Sequence, residues 1–320
     1  MRANSPGMDK SHTNAKNSPS TSQATVAQHL LLSLLLALRP RQWAKNGLLF
    51  AGLLFTLGEP QPPHALGRAC LAFAIFCLLS GCGYLINDLR DREMDRLHPK
   101  KRFRPLASGA LSVPAAIGFV AVGLSASLFL AGWILGFSFL MVALAYIATT
   151  VSYSLYLKNV VIVDVMTVAA GFVLRAVAGA VALPVKASEW LLLCTFLLAL
   201  FIALMKRRAE LVALGEATAT RPILAEYNMG FLDQTGTLVA TACLIAYLLY
   251  TVISPTGQAH PGLMATCPFV LYGLLRYLHL THRQNLGEAP EMVLAHDRPM
   301  QVNLALWIAG TAFAMLWSSR

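Results

Sequence analysis

NDLRDREMDRLHPKKRFRPLASG, residues 87–109, carries four acidic and seven basic side chains between two long apolar runs. The run before it, LGRACLAFAIFCLLSGCGYLI (residues 66–86), is about the length that a membrane-spanning helix requires, roughly 20 apolar residues. A dense charge block directly after such a run marks the point where a helix leaves the bilayer.

The rest of the chain repeats this alternation. Of its 320 residues 57% are hydrophobic and 12% charged, and mean hydropathy is +0.60, far from the composition of a soluble domain. An all-α, polytopic membrane protein follows, with apolar runs near 44–58, 66–87, 114–132, 133–152, 160–181, 188–206, 232–253, 263–281 and 300–318. These give about nine transmembrane helices. The first is short unless it borrows from LLLSLLLAL (30–38), and only Gly132 and Trp133 separate the third from the fourth, so eight is the alternative count.

The stretch 30–38 resembles a signal-peptide core, but Arg39, Pro40, Arg41 and Lys45 stand where a small-residue cleavage site belongs. It reads as an uncleaved interfacial or entry helix. Residues 1–27, polar and without apolar periodicity, read as a disordered tail, and residues 28–320 as one transmembrane domain.

The formal charge of +10 does not point to nucleic acid, because Lys and Arg gather on the cytoplasmic side of bilayer proteins. Most basic residues fall on one face: the N-terminal segment, the loop 88–113, Lys158, Lys206 to Arg208, Arg221, Arg283 and Arg298. The opposite face receives Arg68, Lys186 and Arg320. The N-terminus and every charged loop are therefore expected in the cytoplasm. The six cysteines and eight histidines lack zinc-type spacing, so any metal would be a hard ion held by carboxylates.

Asp88, Asp91 and Asp95 supply such carboxylates. On a continuous helix, at about 100° per residue, they point within roughly 60° of one another. Like charges that close call for a cation, and Mg²⁺ binds through a few carboxylates together with substrate phosphate oxygens. A diphosphate-bearing substrate follows. The competing reading is a solvated helix end whose acids pair with Arg90, Arg92 and Arg96.

Asn87, Asp88, Asp91 and Asp95 resemble the NDxxDxxxD signature of the intramembrane prenyltransferase (UbiA) superfamily. The resemblance implies a nine-helix bundle whose active cavity opens to the cytoplasm, and a multi-pass protein of the bacterial inner membrane. Typical members bind a prenyl diphosphate through two acidic clusters and alkylate an aromatic acceptor. Here the second place reads MKRRAEL (205–211), where Lys206, Arg207 and Arg208 accompany the single acid Glu210. Cations there would meet extra phosphate groups directly.

RPRQWAKN (39–46), YSLYLKNVVIVDVMTVAAGFVLRAVAGA (153–180), MKRRAEL, RPILAEYN (221–228), LRYL (275–278) and DRP (297–299), with the opening stretch, are similar to one branch, the decaprenyl-phosphate phosphoribosyltransferases. That similarity implies transfer of a 5-phosphoribosyl group from phosphoribosyl diphosphate to a polyprenyl phosphate, for cell-envelope arabinose donors. One Mg²⁺ site with many cations suits a donor and an acceptor that both carry phosphate.

On this reading Asp88, Asp91 and Asp95 hold Mg²⁺ against the leaving diphosphate, and Lys158 and Lys206 act on the phosphates as catalytic cations. The substrate-binding set is Lys45, Asn46, Asn87, Lys101, Arg102, Tyr153, Asp164, Arg175, Arg207, Glu210, Arg221 and Tyr227. Asp164 and Arg175 share one helix face, with Arg175 about 16 Å deeper and in need of a partner. For Arg208 an orientation role is as well supported as a site role, and for Lys45 and Lys158 the alternative is snorkelling. Gly171 and Gly179 are expected to allow close helix packing.

Two other functions remain: prenyl transfer to an aromatic acceptor, disfavoured by the missing acidic cluster, and transport, disfavoured because most charges lie at one face rather than mid-membrane. The oligomeric state is not fixed by the sequence, and a homo-oligomer is allowed for.

Overall fold

Backbone polar groups inside a bilayer must bond within their own segment, which makes each apolar run a helix. The computed structural model describes residues 30–57, 63–185, 188–214, 222–283, 293 and 296–317. The tail 1–27, Lys186, Arg221 and Arg320 lie outside the described residues. Among the described residues regular structure is helical throughout, and eight helices are long and apolar enough to cross a membrane.

These are α1 (Ala65–Arg90), α2 (Val113–Leu130), α3 (Phe137–Leu155) and α4 (Val163–Ala182). They are followed by α5 (Glu189–Leu214), α6 (Met229–Ile253), α7 (Cys267–Arg283) and α8 (Arg298–Trp317). The expected break at Gly132–Trp133 falls slightly later. A π turn at Ala131–Leu135 extends α2, and Gly136 at φ +99° reverses the chain, a conformation open to glycine and strained for other residues.

The first expected span takes another form. Pro40–Phe50 is a 3₁₀ helix and Ala51–Leu54 one α turn. It still crosses the bundle: Arg39 sits beside Asp88, Asn46 bonds Ser80, the Phe50 ring lies 5.6 Å from Phe73, and Phe55 lies 5.9 Å from Tyr250. A 3₁₀ helix rises about 2 Å per residue against about 1.5 Å for an α-helix, so fewer residues cover the thickness. With it the described residues make about nine passes between the two ends of the bundle.

Close approach fixes this segment. A Cβ at Gly179 on α4 would stand 2.2 Å from the carbonyl oxygen of Leu49. Gly179→Ala is therefore expected to cost about 3 kcal/mol, the upper end for overpacking, read as a lower thermal midpoint in detergent. Gly118→Ala, with nothing within 4 Å of the added carbon, is the control. An unchanged midpoint in Gly179→Ala would show that the entry segment packs elsewhere.

The helix ends alternate as short connections require. At one end Arg68 of α1 donates to Ala182 O of α4 at 2.7 Å. At the other end stand the termini of α1, α3, α5 and α7 and the starts of α4, α6 and α8, tied by the ion pairs Lys158–Asp91, Arg207–Asp164, Arg208–Asp233 and Arg276–Asp297. This charged end is the one expected to hold the site. Before it, residues 30–37 form a helix with Leu31, Leu32, Leu35 and Leu36 exposed, and Ala37 and Leu38 packed near Leu85 and Leu106. Leucines so placed suit an interfacial helix.

Candidate active site

The acidic motif does not ride one continuous helix. α1 ends at Arg90, Asp91 sits at φ −90°, ψ 7°, and a separate short helix, Arg92–Leu97, carries Asp95. Rotation by 100° per residue therefore does not apply across Asp91, and the three carboxylates do not converge as a triad. Asp88 and Asp95, 3% and 4% exposed, are brought together from the side, because Arg104 Nη1 donates to Asp88 Oδ1 at 3.0 Å and to Asp95 Oδ2 at 2.6 Å. Arg39 adds a second cation on Asp88 Oδ1. Asp91 turns to Lys158, whose Nζ stands 2.6 Å from Oδ1.

The nearby arginines of the solvated-end reading go elsewhere. Arg90 donates to Leu155 O, Arg92 to Leu106 O, and Arg96 to Ala107 O and Glu93. Arg39, Arg104 and Lys158, rather than the interleaved arginines, thus neutralise the three aspartates. Burial pushes the Asp95 carboxyl above the ordinary range, Arg104 opposes that, and the charge of Asp88 adds to it.

The donor set suits a hard divalent ion. Two buried carboxylates already share one positive charge, the Arg104 nitrogen, and oxygen is the donor such ions take. Among the described residues no three His, Cys, Asp or Glu side chains close around a single point. Asp91 would join only by leaving Lys158.

A second network lies on α4 and α5. Arg207, 3% exposed, donates through Nε to Asp164 Oδ2 at 2.7 Å, through Nη1 to Glu210 Oε2 at 2.7 Å and through Nη2 to the Tyr153 hydroxyl at 3.2 Å. The Tyr227 hydroxyl donates to Asp164 Oδ1 at 2.6 Å and accepts from the Ile162 amide at 2.8 Å. Burial and the neighbouring Asp164 push its proton loss well up. The three cations of MKRRAEL therefore separate. Arg207 is committed to carboxylates, Arg208 ties α5 to Asp233 and to Thr281 O, and Lys206, half-buried, makes no hydrogen bond or ion pair among the described residues.

A third network lies deeper. Arg175 does not pair with Asp164; its Nε donates to Asn46 Oδ1 at 2.8 Å, Nη1 to Gly171 O at 2.9 Å and Nη2 to the Tyr146 hydroxyl at 2.7 Å. Its guanidinium also lies over the Tyr146 and Phe172 rings, at 4.8 and 5.2 Å. Asn46 Nδ2 in turn donates to Ser80 Oγ. Of the remaining residues singled out, Lys45 precedes Asn46 on the entry segment, and Asn87 is half-buried with its carbonyl accepting from the Asp91 amide. The Lys101 amide bonds His98 Nδ1, and Arg102 is exposed and lies over Phe103.

A family model, the UbiA prenyltransferase family, matches residues 47–305. The chain belongs to the UbiA prenyltransferase family. It is 35% identical to a decaprenyl-phosphate phosphoribosyltransferase of Mycolicibacterium smegmatis, over 98% of this chain and 100% of that one. It is 34% identical to a protein of the same name from Mycobacterium tuberculosis, over 90% and 95%. A UbiA homolog from Archaeoglobus fulgidus, solved bound to GPP and Mg²⁺, shares the fold at TM-score 0.68, covering 89% of this chain and 99% of that one at 20% identity. This family member is a membrane-embedded transferase, and its all-helical bundle, with eight spanning helices among the described residues and charges gathered at one end, has the fold that the motif implied.

Sequence reasoning missed Arg39 and Tyr146, and it placed Arg104 only among the loop cations that could cover the donor's phosphates. Arg39 and Arg104 figured as members of basic runs, where nothing distinguishes the arginine that turns inward from Arg102, which does not. Tyr146 sits in an apolar run as an ordinary aromatic, and its hydroxyl acquires meaning only once α3 places it on Arg175.

Proposed function

We propose that this UbiA family member transfers a 5-phosphoribosyl group from phosphoribosyl diphosphate to a polyprenyl phosphate, at the charged end of the bundle, which faces the cytoplasm of a bacterial inner membrane. The observation that carries the reading is the state of the second network. Its acids, Asp164 and Glu210, are held apart on two nitrogens of Arg207, whereas Asp88 and Asp95 meet at one nitrogen of Arg104, and Lys206 on α5 makes no ion pair among the described residues. One metal place with additional cations matches a donor of three phosphates and a lipid acceptor with its own. The relatives' names agree.

Asp88, Asp95 and Asp91 would hold Mg²⁺, which when bound offsets negative charge on the leaving diphosphate. The side chains do the rest. Arg104 and Arg39, released from Asp88, stand within reach of the phosphate oxygens. Lys158, held on Asp91, and Lys206 of α5 would orient donor and acceptor phosphates. The bond from ribosyl C1 to the diphosphate oxygen breaks, C1 becomes oxocarbenium-like, and an ionised acceptor oxygen forms the new C1–O bond. That nucleophile is already anionic at neutral pH, so no side chain need remove a proton. Positioning and charge dominate.

The test is product analysis. Purified protein with phosphoribosyl diphosphate, decaprenyl phosphate and Mg²⁺ is expected to yield a lipid-linked phosphoribose, and chelation to abolish it. Formation of a prenylated aromatic from polyprenyl diphosphate, without lipid-linked sugar, would overturn the reading. Lys206→Ala is expected to raise the KM for phosphoribosyl diphosphate about tenfold, one charge-assisted hydrogen bond's worth, with the fold intact by thermal unfolding.

A further inference from the structure

The connection between α3 and α4, residues 156–162, carries Lys158 and ends in a strained residue. Ile162 stands at φ 68°, ψ −45°, a region that β-branched residues rarely enter. Its side chain is 46% exposed, so side-chain packing does not hold it there. The backbone does: the Ile162 amide donates to the Tyr227 hydroxyl at 2.8 Å. We propose that Tyr227 is a positioning residue, whose hydroxyl fixes this connection and thereby sets where the Lys158 ammonium meets phosphate. The inference rests on the phosphoribosyl-transfer reading for the phosphate.

Three observations carry it. The first is that the Tyr227 phenol is engaged on both its donor and its acceptor side. It accepts from Ile162 and donates to Asp164 Oδ1 at 2.6 Å, and its ring is buried in the cluster that also holds Ile223 and Leu232.

The second is that the phenol itself is fixed. The Tyr227 amide donates to Leu224 O at 3.3 Å, and Leu224 is fully buried. The next residue, Asn228, caps α6 by accepting from the Phe231 amide at 2.8 Å. Val161, beside Ile162, packs on the same cluster as Tyr227.

The third is that the connection transmits the position. The Asn159 amide donates to Tyr156 O at 3.1 Å and the Val160 amide to Leu157 O at 3.2 Å, so residues 156–160 form one tight turn around Lys158. The Asp164 amide, donating to Val160 O at 3.0 Å, ties that turn to the start of α4. On the other flank Tyr153, near the end of α3, accepts from Arg207, whose Nε donates to Asp164 Oδ2. Both phenols thus converge on Asp164, one directly and one through Arg207. The turn between them brings Lys158 Nζ to 2.6 Å from Asp91 Oδ1. In a reaction governed by placement, a shift of about 1 Å at a group that orients phosphate is costly.

The experiment uses the full chain in lipid nanodiscs and a double-variant cycle. Lys158→Met is expected to lower kcat/KM for phosphoribosyl diphosphate about 30-fold, the loss of one charge-assisted hydrogen bond. Tyr227→Phe lowers it about tenfold by displacing Lys158. In the Lys158→Met background the same change costs less than about twofold, because the group it positions is gone. Ile162→Gly added to Tyr227→Phe restores activity to within about threefold of wild type, because glycine holds φ 68° without the bond. Equal losses from Tyr227→Phe in both backgrounds, or no recovery with Ile162→Gly, would overturn the proposal.

A second readout does not depend on turnover. Deuterium uptake in Tyr227→Phe is expected to rise across residues 157–163 and to stay unchanged in α1 and α8. A rise throughout the bundle would show a general structural role and overturn the proposal. Absence of phosphoribose transfer by the wild type, with the rise in the variant confined to 157–163, would leave the anchorage of the connection standing and overturn the reaction assigned above.

Discussion

Replacing Asp88 by Asn lowers transfer by at least about 10³-fold while leaving the protein folded, an effect on the scale of removing a preorganised electrostatic group together with its metal contribution. Asp88 is the centre of the first network. It is buried, it receives both Arg39 and Arg104, and with Asp95 it forms the two-carboxylate pair around one positive charge. Asparagine keeps the shape and one acceptor oxygen but removes the negative charge. Arg104 retains Asp95, which is why the fold survives. Initial rates across a Mg²⁺ titration, with thermal unfolding alongside, check this. Wild-type turnover in Asp88→Asn would mean that the acids serve only to neutralise arginines at a helix end.

Loss of Arg207 has the opposite signature, a large fall in stability. Asp164 is fully buried, and among the described residues its charge partner is Arg207, with Tyr227 as a neutral donor. Arg207→Met strands that carboxylate in the bundle, and breaking one half of a buried pair costs about 3–5 kcal/mol. Removing the second charge as well, in Arg207→Met with Asp164→Asn, is expected to recover most of that loss, because neutral groups of similar volume need no counter-charge. Unfolding midpoints of the single and double variants decide this. For comparison, the exposed pair Arg96–Glu93 is worth at most about 1 kcal/mol. Equal midpoints for wild type and Arg207→Met would show that the guanidinium is held there for substrate alone.

The outline of the fold was legible because a bilayer reduces the choice. Apolar runs of spanning length become helices, and the Lys and Arg asymmetry orders their ends, so eight spans lie close to where hydropathy places them. What periodicity could not give was the first crossing. Nothing in PRQWAKNGLLF distinguishes a 3₁₀ path from a short α-helix, since that choice follows from the carbonyl of Leu49 lying against Gly179, 130 positions away.

The site was legible as residue types and less so as pairings. Asp88, Asp91, Asp95, Lys158, Asp164, Arg175 and Arg207 do enter polar networks at or below one end of the bundle. Their partners, though, are set by helix packing rather than by spacing. Asp164 and Arg175 share a face of α4 yet belong to different networks, because Arg207 of α5 reaches one and Asn46 of the entry segment reaches the other. Likewise Asp91 parts from Asp88 because the helix breaks beneath it, and Lys158 from α3 is there to receive it.

The claim that binds these features is that the C1–O bond of phosphoribosyl diphosphate breaks at the Asp88 end and the phosphoribosyl group passes to lipid. Phosphoribosyl diphosphate labelled either in its 5-phosphate or in its terminal diphosphate phosphorus distinguishes the outcomes in one extraction. With wild-type protein, decaprenyl phosphate and Mg²⁺, the 5-phosphate label should enter the organic phase and the diphosphate label should stay in water as free diphosphate. Diphosphate label in the lipid, or neither label moving while polyprenyl diphosphate and an aromatic acceptor are consumed, would contradict it.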